Sequence, residues 1–350
     1  MPAADEFLRS LRLPPPSDGN AAPAFEDLQQ AAEWFAVLQA GGVSDSERRR
    51  WQTWLATGPR QRAAWQRVES ISGEFAGLAG LPARRVLERG AASSSRRRSV
   101  LRALALAPVA GIAGWMASRQ VPWRGWVAAY RTETGERREI VLADGSRLWL
   151  NTATSLDVDF SPTLRRIVLH RGEVLVTSGH DDSLPARPLV VDVPQGRMTA
   201  LGTRFAVRHE DGGAVRLAVF EGAVASQPAD GGSDSDARTL AAGEQARLFA
   251  DRVEPLEDAA ASAAYADDWT RGMLVADGQR LGDFIAELGR YRPGYLGCAP
   301  EVAGLRIVGA YPLADTDRIL SALQATLPVR VRQPLPWWTV VEAAPTTPKR

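Results

Sequence analysis

Apolar residues recur at two different periods along the chain, and the change of period divides it. From about Ala24 to Phe75 they return every three or four positions. Ala32, Phe35, Ala36 and Gln39 keep that spacing, and Trp34 and Leu38 add a second apolar row, as an amphipathic helix requires. Gly41-Gly42 stops the first helix. Ser44-Asp45-Ser46-Glu47 is a capping-box pattern, in which serine and glutamate each satisfy an open backbone donor. The helix it starts carries Trp51, Trp54 and Leu55 and ends at Gly58-Pro59. A third runs from about Arg60 with Ala64, Trp65 and Val68 on one side. The pattern predicts a tryptophan-rich bundle of three or four short helices.

Beyond residue 121 the period falls to two. Strands are predicted at Glu139–Leu142, Arg147–Leu150, Ser155–Phe160, Arg166–His170, Glu173–Thr177, Pro188–Val193, Arg204–Arg208, Val215–Phe220, Ala223–Ser226 and Gln245–Phe249, with Ala143-Asp144-Gly145-Ser146 as a turn. Leu156-Asp-Val-Asp-Phe160 alternates cleanly. A faint internal echo pairs His170-Arg-Gly-Glu-Val174 with Phe220-Glu-Gly-Ala-Val224, as stacked hairpins or solenoid turns would. After Trp269 strands and helices alternate: Met273–Val275, a helix Arg280–Tyr291, Leu305–Val308, a helix Asp315–Ala325, then Val329–Arg332 and Trp338–Val341.

Between the two regions lies a basic stretch with Arg84, Arg85, Arg89, Arg96, Arg97 and Arg98. It is followed by Ala103–Ala117, which has no charge. Extended to 100–121 with Arg102 and Arg119 snorkelling, this run reaches roughly 33 Å as a helix, enough for a hydrocarbon core. The expected fold is multidomain: a flexible tail (1–24), an N-terminal all-α bundle (25–76), a basic linker (77–99) and one transmembrane helix (100–121). An all-β, solenoid- or sandwich-like domain (122–255), a linker (256–268), a small α+β domain of βαβ-βαβ order (269–342) and a tail (343–350) complete it. The arginines ahead of the apolar run predict a single-pass inner-membrane protein with a cytoplasmic N-terminus and a periplasmic C-terminus.

Composition narrows the function. A net charge of +1 argues against a polyanion binder. The single cysteine, Cys298, rules out an intramolecular disulfide and a thiolate cluster, and three histidines leave little room for a metal site. No metal and no cofactor is expected. Gly-x-Ser-x-Gly, paired metal ligands and a phosphate loop are all missing from the sequence, so an enzyme is not expected either.

Four segments in order resemble the FecR family of transmembrane sigma-factor regulators. They are Ala32-Glu-Trp34…Trp51-Gln-Thr-Trp54-Leu55…Ala63-Ala64-Trp65; Thr134–Thr152, continuing through Arg171-Gly-Glu-Val174 and Gly202-Thr-Arg-Phe205; the apolar run between them; and Leu281-Gly-Asp-Phe284, Leu288 and Gly309. The last resembles the short domain found at the start of secretins and TonB-dependent transporters. The resemblance implies an anti-sigma factor of cell-surface signalling. An outer-membrane TonB-dependent transporter, often for a ferric siderophore, would signal at the periplasmic side, and an extracytoplasmic-function sigma factor would be controlled at the cytoplasmic side, with no direct contact to nucleic acid. A membrane-tethered DNA-binding regulator and a periplasmic glycan-binding structural protein are the competing readings.

Candidate residues follow. Trp34, Trp51, Trp54, Trp65 and Arg49 are sigma-binding candidates, with core filling as the alternative for most of the tryptophans. Arg97 and Arg98 are either a twin-arginine export signal or a stop-transfer flank. Some relatives cut themselves at a Gly-Thr bond, which makes Gly202 and Thr203 candidates for a single-turnover N→O acyl shift. The plainer alternative is a glycine that admits the chain to the next strand. Phe284, Leu288, Trp337 and Trp338 are candidates for receptor contact.

Overall fold

The computed structural model describes residues 23–39, 43–79, 128–183, 185–231, 237–256 and 267–345. They divide into two units. One holds the N-terminal helices with Gly278–Ile307 and Asp317–Arg350, and the other holds Ala91–Asp277 with Val308–Thr316.

Helices α1 (Phe25–Gln39), α2 (Asp45–Ala56) and α3 (Pro59–Ala79) form where the three-and-four spacing placed them. The capping box of α2 is complete. Ser44 Oγ accepts from the Glu47 N–H at 3.2 Å, and the Ser44 N–H donates to the Glu47 carboxylate at 2.8 Å. Pro59 opens α3, where its missing N–H costs nothing. The buried faces are Ala31, Ala32 and Phe35 on α1, Trp51 and Leu55 on α2, and Ala64, Trp65, Val68 and Ile71 on α3.

The second unit is built on two seven-stranded sheets. In spatial order the first runs β1 (Tyr130–Arg131), β4 (Ser155–Phe160), β5 (Arg165–Arg171), β7 (Leu189–Val193), β8 (Gly196–Ala200), β11 (Ala223–Pro228), β12 (Arg238–Ala241). The second runs β14 (Val253–Pro255), β13 (Gln245–Leu248), β10 (Val215–Glu221), β9 (Arg204–His209), β6 (Glu173–Thr177), β3 (Arg147–Leu150), β2 (Arg138–Val141). Strands β5 and β7 pair in parallel. Inward-facing residues of both sheets, among them Leu148, Leu156, Ile167, Leu169, Val191, Phe205, Val207 and Leu217, share one core. Each such aliphatic side chain contributes about 1.5–3 kcal/mol by leaving water. The alternation read at 156–160 holds: Leu156 is buried, while Asp157 faces outward to His170 Nε2 at 2.7 Å. The echo also has a structural meaning. Gly172 (φ +86°) and Gly222 (φ +74°) each carry the chain from one sheet to the other, in the left-handed conformation that glycine adopts without strain.

Strands β15 (Met273–Arg280) and β17 (Arg306–Pro312) pair as a two-stranded sheet, and helices α4 (Leu281–Gly289), α5 (Pro300–Ala303) and α6 (Thr316–Thr326) surround a three-stranded sheet. That sheet has the order β16 (Tyr295–Cys298), β19 (Trp338–Ala343), β18 (Val329–Leu335). Strand β16 and helix α5 interrupt the expected βαβ-βαβ order.

Two expectations are corrected. No helix among the described residues is long and apolar enough to cross a membrane; the expected span, 100–121, lies outside the described residues. Nor do the N-terminal helices close a core of their own. Phe35 meets Trp337 edge-on at 5.3 Å, and one cluster runs from Ala31, Trp51, Trp65 and Val68 into Trp337, Trp338 and Val340. Among the described residues, three of the nine buried apolar residues of these helices are alanines, Ala31, Ala32 and Ala64, and Trp337 packs on the same core. Segments that share one contiguous core belong to one folded unit. Among the described residues the expected separate bundle plus one transmembrane helix is therefore corrected, and so is the single-pass inner-membrane placement that needs such a helix.

Candidate functional site

Two places in the structure bring predicted residues into a chemical arrangement. The first is an open groove of about 500 Å³ on the helices, lined by Trp34, Ser46, Arg49, Arg50, Thr53, Trp54 and Thr57. All but Trp34 lie on one stripe of α2 and its C-cap Thr57, spaced by three and four, opposite the buried stripe of Trp51 and Leu55. The Trp54 indole N–H donates to Gln30 Oε1 at 2.6 Å, which fixes its ring against α1. The Arg50 guanidinium stands over the Trp34 ring at 5.9 Å, within cation–π range. Apolar ring faces flanked by exposed guanidinium groups suit a partner with an aromatic or aliphatic anchor beside acidic side chains. The four tryptophans separate cleanly: Trp51 and Trp65 are buried, with rings 5.1 Å apart, whereas Trp34 and Trp54 are half-buried at the groove.

The second place is the corner at Gly202-Thr203, where the chain leaves β8 in one sheet and enters β9 in the other. Gly202 sits at φ +77°. The Thr203 N–H donates to Ser178 Oγ at 2.8 Å, and the Ser178 N–H donates to the Thr203 carbonyl at 2.9 Å. Thr203 is buried, and among the described residues its Oγ1 has no hydrogen-bond partner. Gly222 packs directly on this corner, so that a Cβ there would come within 2.2 Å of the Gly202 carbonyl oxygen.

The residue after Ser178, Gly179, is held by a buried polar network. Arg165 Nη1 donates to Asp144 Oδ2 at 2.7 Å and to the Gly179 carbonyl at 3.2 Å, and its Nε donates to the Arg187 carbonyl at 3.0 Å. Ser146 donates to Asp144 through N–H and Oγ at 3.0 and 2.7 Å, and its Oγ accepts from the Gly179 N–H at 2.8 Å. Burial pushes the Asp144 carboxyl up, but the hydrogen bonds of Ser146 and Arg165 and the charge of Arg165 outweigh it and hold the carboxyl below its ordinary value.

Residues 128–225, which contain this corner and its network, match the family described as FecR protein, and residues 29–71, which contain the groove, match a domain of unknown function, DUF4880. The chain carries a FecR domain over residues 128–225. No curated protein matches it. Two crystal structures of a candidate anti-sigma factor from Parabacteroides distasonis ATCC 8503, at 2.50 and 1.65 Å resolution, are each 20% identical to it. Each comparison covers 61% of this chain and 98% of that one, with a TM-score of 0.48.

The other predicted residues fall as follows. Phe284 and Leu288 are fully buried on α4, and Trp337 and Trp338 are buried in the core shared with the helices. Arg97 and Arg98 lie outside the described residues. Cys298 is half-buried, and burial, aided by the Glu301 charge, pushes its thiol up to about 11. Among the described residues no group of His, Cys, Asp and Glu could hold a metal ion. Sequence reasoning missed Thr53, although the Ser46–Arg49–Arg50–Thr53–Thr57 spacing marks it. It also missed Ser178, which carries no signal until the strands are paired.

Proposed function

We propose that this chain is an anti-sigma regulator whose sigma-factor contact is the groove of Trp34, Trp54, Arg49 and Arg50. The observation that carries the reading is that two half-buried tryptophans line a groove beside exposed arginines on the α1–α2 face, in a chain that also carries a FecR domain and whose other helix tryptophans are buried. Aromatic and arginine side chains are the groups in which binding energy concentrates. The test is co-purification of the full chain with the host's extracytoplasmic-function sigma factors. Trp54→Ala and Arg49→Glu with Arg50→Glu are expected to abolish capture while leaving the thermal transition in place. Undiminished capture by both variants refutes the groove. Binding of duplex DNA by the full chain without a sigma factor would instead favour a DNA-binding regulator. The upstream partner in this reading is the signalling domain of a TonB-dependent transporter, for iron-chelate uptake, received by the C-terminal domain. It rests on the resemblance of Leu281-Gly-Asp-Phe284, Leu288 and Gly309, and pull-down of this chain by such a domain tests it.

A second reading has its own observation. The unpartnered Thr203 hydroxyl beside a left-handed Gly202 suits a single self-cleavage of the bond between them. Thr203→Ala is expected to remove any 203–350 fragment, and a fragment pattern unchanged by that substitution refutes this reading.

A further inference from the structure

The β-domain contains the same corner twice, and only one copy has let go of its hydroxyl. In the first copy Thr132, just after β1, donates its N–H to the Thr154 carbonyl at 3.0 Å, and its Oγ1 accepts from the Thr154 N–H at 2.9 Å. Ser178, just after β6, makes the same pair of bonds with Thr203. Ala153 precedes Thr154 at φ +51°, as Gly202 precedes Thr203 at φ +77°. Gly172 packs on the first corner as Gly222 packs on the second.

The copies part at the threonine side chain. Thr154 Oγ1 accepts from the Glu173 N–H and donates to the Glu173 carbonyl, both at 3.0 Å. It is also the atom nearest the Cβ that Gly172 lacks, at 2.4 Å. At the second corner the side-chain atom nearest the missing Cβ of Gly222 is the methyl carbon of Thr203, at 2.9 Å. The threonine has therefore turned over, placing its methyl where the first copy keeps its hydroxyl, and the freed Oγ1 is buried without a partner.

We propose that Ser178 is a catalytic residue of self-cleavage at Gly202-Thr203, holding the scissile nitrogen and stabilising it as it leaves. The inference rests on the self-cleavage reading above. In the reaction Thr203 Oγ adds to the Gly202 carbonyl carbon, the bond from that carbon to the Thr203 nitrogen breaks, and the hydroxyl proton ends on the nitrogen. The product is an ester of Gly202 on Thr203 with a free amine. Water then adds to the ester carbonyl and the carbon–oxygen bond breaks, giving the Gly202 carboxylate and restoring the Thr203 hydroxyl. In the tetrahedral adduct the nitrogen has lost its amide resonance and carries the hydroxyl proton as a cation, so its N–H bond to Ser178 Oγ changes from a neutral to a charge-assisted one, roughly twice as strong. Ser178 thus favours the departing nitrogen over the resting amide, which is the condition for catalysis.

The test uses the purified full chain, with the 1–202 and 203–350 fragments followed by intact mass over time, with and without hydroxylamine to open the ester. The chain has no Asn-Gly pair for hydroxylamine to cut. Ser178→Ala is expected to slow fragment formation and ester trapping about 10²-fold, the scale of losing one catalytic hydrogen bond. Ser178→Thr should restore the rate to within a few-fold. Thr132→Ala, which loses the equivalent bond in the other corner, should leave the rate unchanged. Wild-type cleavage by a folded Ser178→Ala chain overturns the inference. If that variant does not fold, Ser178→Cys, with its weaker acceptor, takes its place, and a wild-type rate there overturns it equally. When the wild-type chain yields no fragment under either condition, the self-cleavage reading itself falls and takes this inference with it. Fragments that vanish in Thr203→Ala keep that reading intact and leave the Ser178 variants to decide.

Discussion

Asp144→Ala measures how much the buried network around Gly179 contributes to the fold. The side chains of Asp144 and Arg165 are only 3% and 8% exposed, so the guanidinium left behind cannot turn to water. The substitution removes the Arg165 ion pair and both bonds from Ser146. Stranding one partner of a buried pair costs about 3–5 kcal/mol. Arg165 retains the Gly179 and Arg187 carbonyls, which places the loss toward the lower end of that range. At about 4 °C per kcal/mol for a domain of this size, the β-domain transition should fall by on the order of 10 °C in a calorimetric scan of the full chain. Arg165→Met added to Asp144→Ala should recover part of the loss, because the uncompensated charge is then gone. The pH dependence has a definite sign. Since the folded Asp144 carboxyl lies below its ordinary value, its stabilisation is complete above the unfolded carboxylate range near 3.9. It is lost as pH falls through the lower folded value. The gap between wild type and Asp144→Ala should therefore narrow under acid. A loss below about 1 kcal/mol at neutral pH, or strict additivity of the two substitutions, would show that the pair is not coupled as its geometry implies.

Trp51→Ala should cost about 3–5 kcal/mol by opening a cavity in the core beside Trp65, whereas Trp54→Ala at the groove should leave chemical denaturation nearly unchanged; equal losses would refute the separation of core from contact tryptophans. Cys298, its thiol pushed up to about 11 by burial and the Glu301 charge, should resist alkylation at pH 8 in the folded chain and react readily in denaturant, as mass spectrometry of iodoacetamide-treated protein would show.

Much of the fold was legible because its information is local. Period-two alternation marked Ser155–Phe160 to the residue, a short apolar run marked Glu173–Thr177, and Ser44 with Glu47 marked the start of α2. Strand β8, Gly196–Ala200, escaped because Gly-Arg-Met-Thr-Ala has a single core residue, Met198, and no β-branched run. Strand β16 was hidden by its glycine and by the proline-glycine turn before it. The shared core of the helices with Trp337 and Trp338 was beyond sequence reading, since nothing local joins residue 35 to residue 337. The groove was half legible: Arg49, Trp34 and Trp54 were named, but only packing showed that Trp51 and Trp65 point the other way.

The duplicated corner permits one more test, because the two threonines serve as each other's control. A buried hydroxyl that bonds nothing costs about 1–3 kcal/mol, and a corner maintained only as a turn would recover that by tying the hydroxyl down, as Thr154 does with the Glu173 backbone. Replacing threonine by valine keeps the shape and exchanges the hydroxyl for a methyl. At Thr154 the change strands the Glu173 N–H, and it should cost about 1–3 kcal/mol in urea denaturation of the full chain. At Thr203 it removes an orphan, so stability should hold or rise while any break at Gly202-Thr203 disappears. Equal destabilisation by the two substitutions would mean that the Thr203 hydroxyl is bonded in solution, and the second corner would then be a turn like the first. The predicted asymmetry instead makes Thr203 a group kept at a cost to the fold, and such local costs gather where a protein does chemistry.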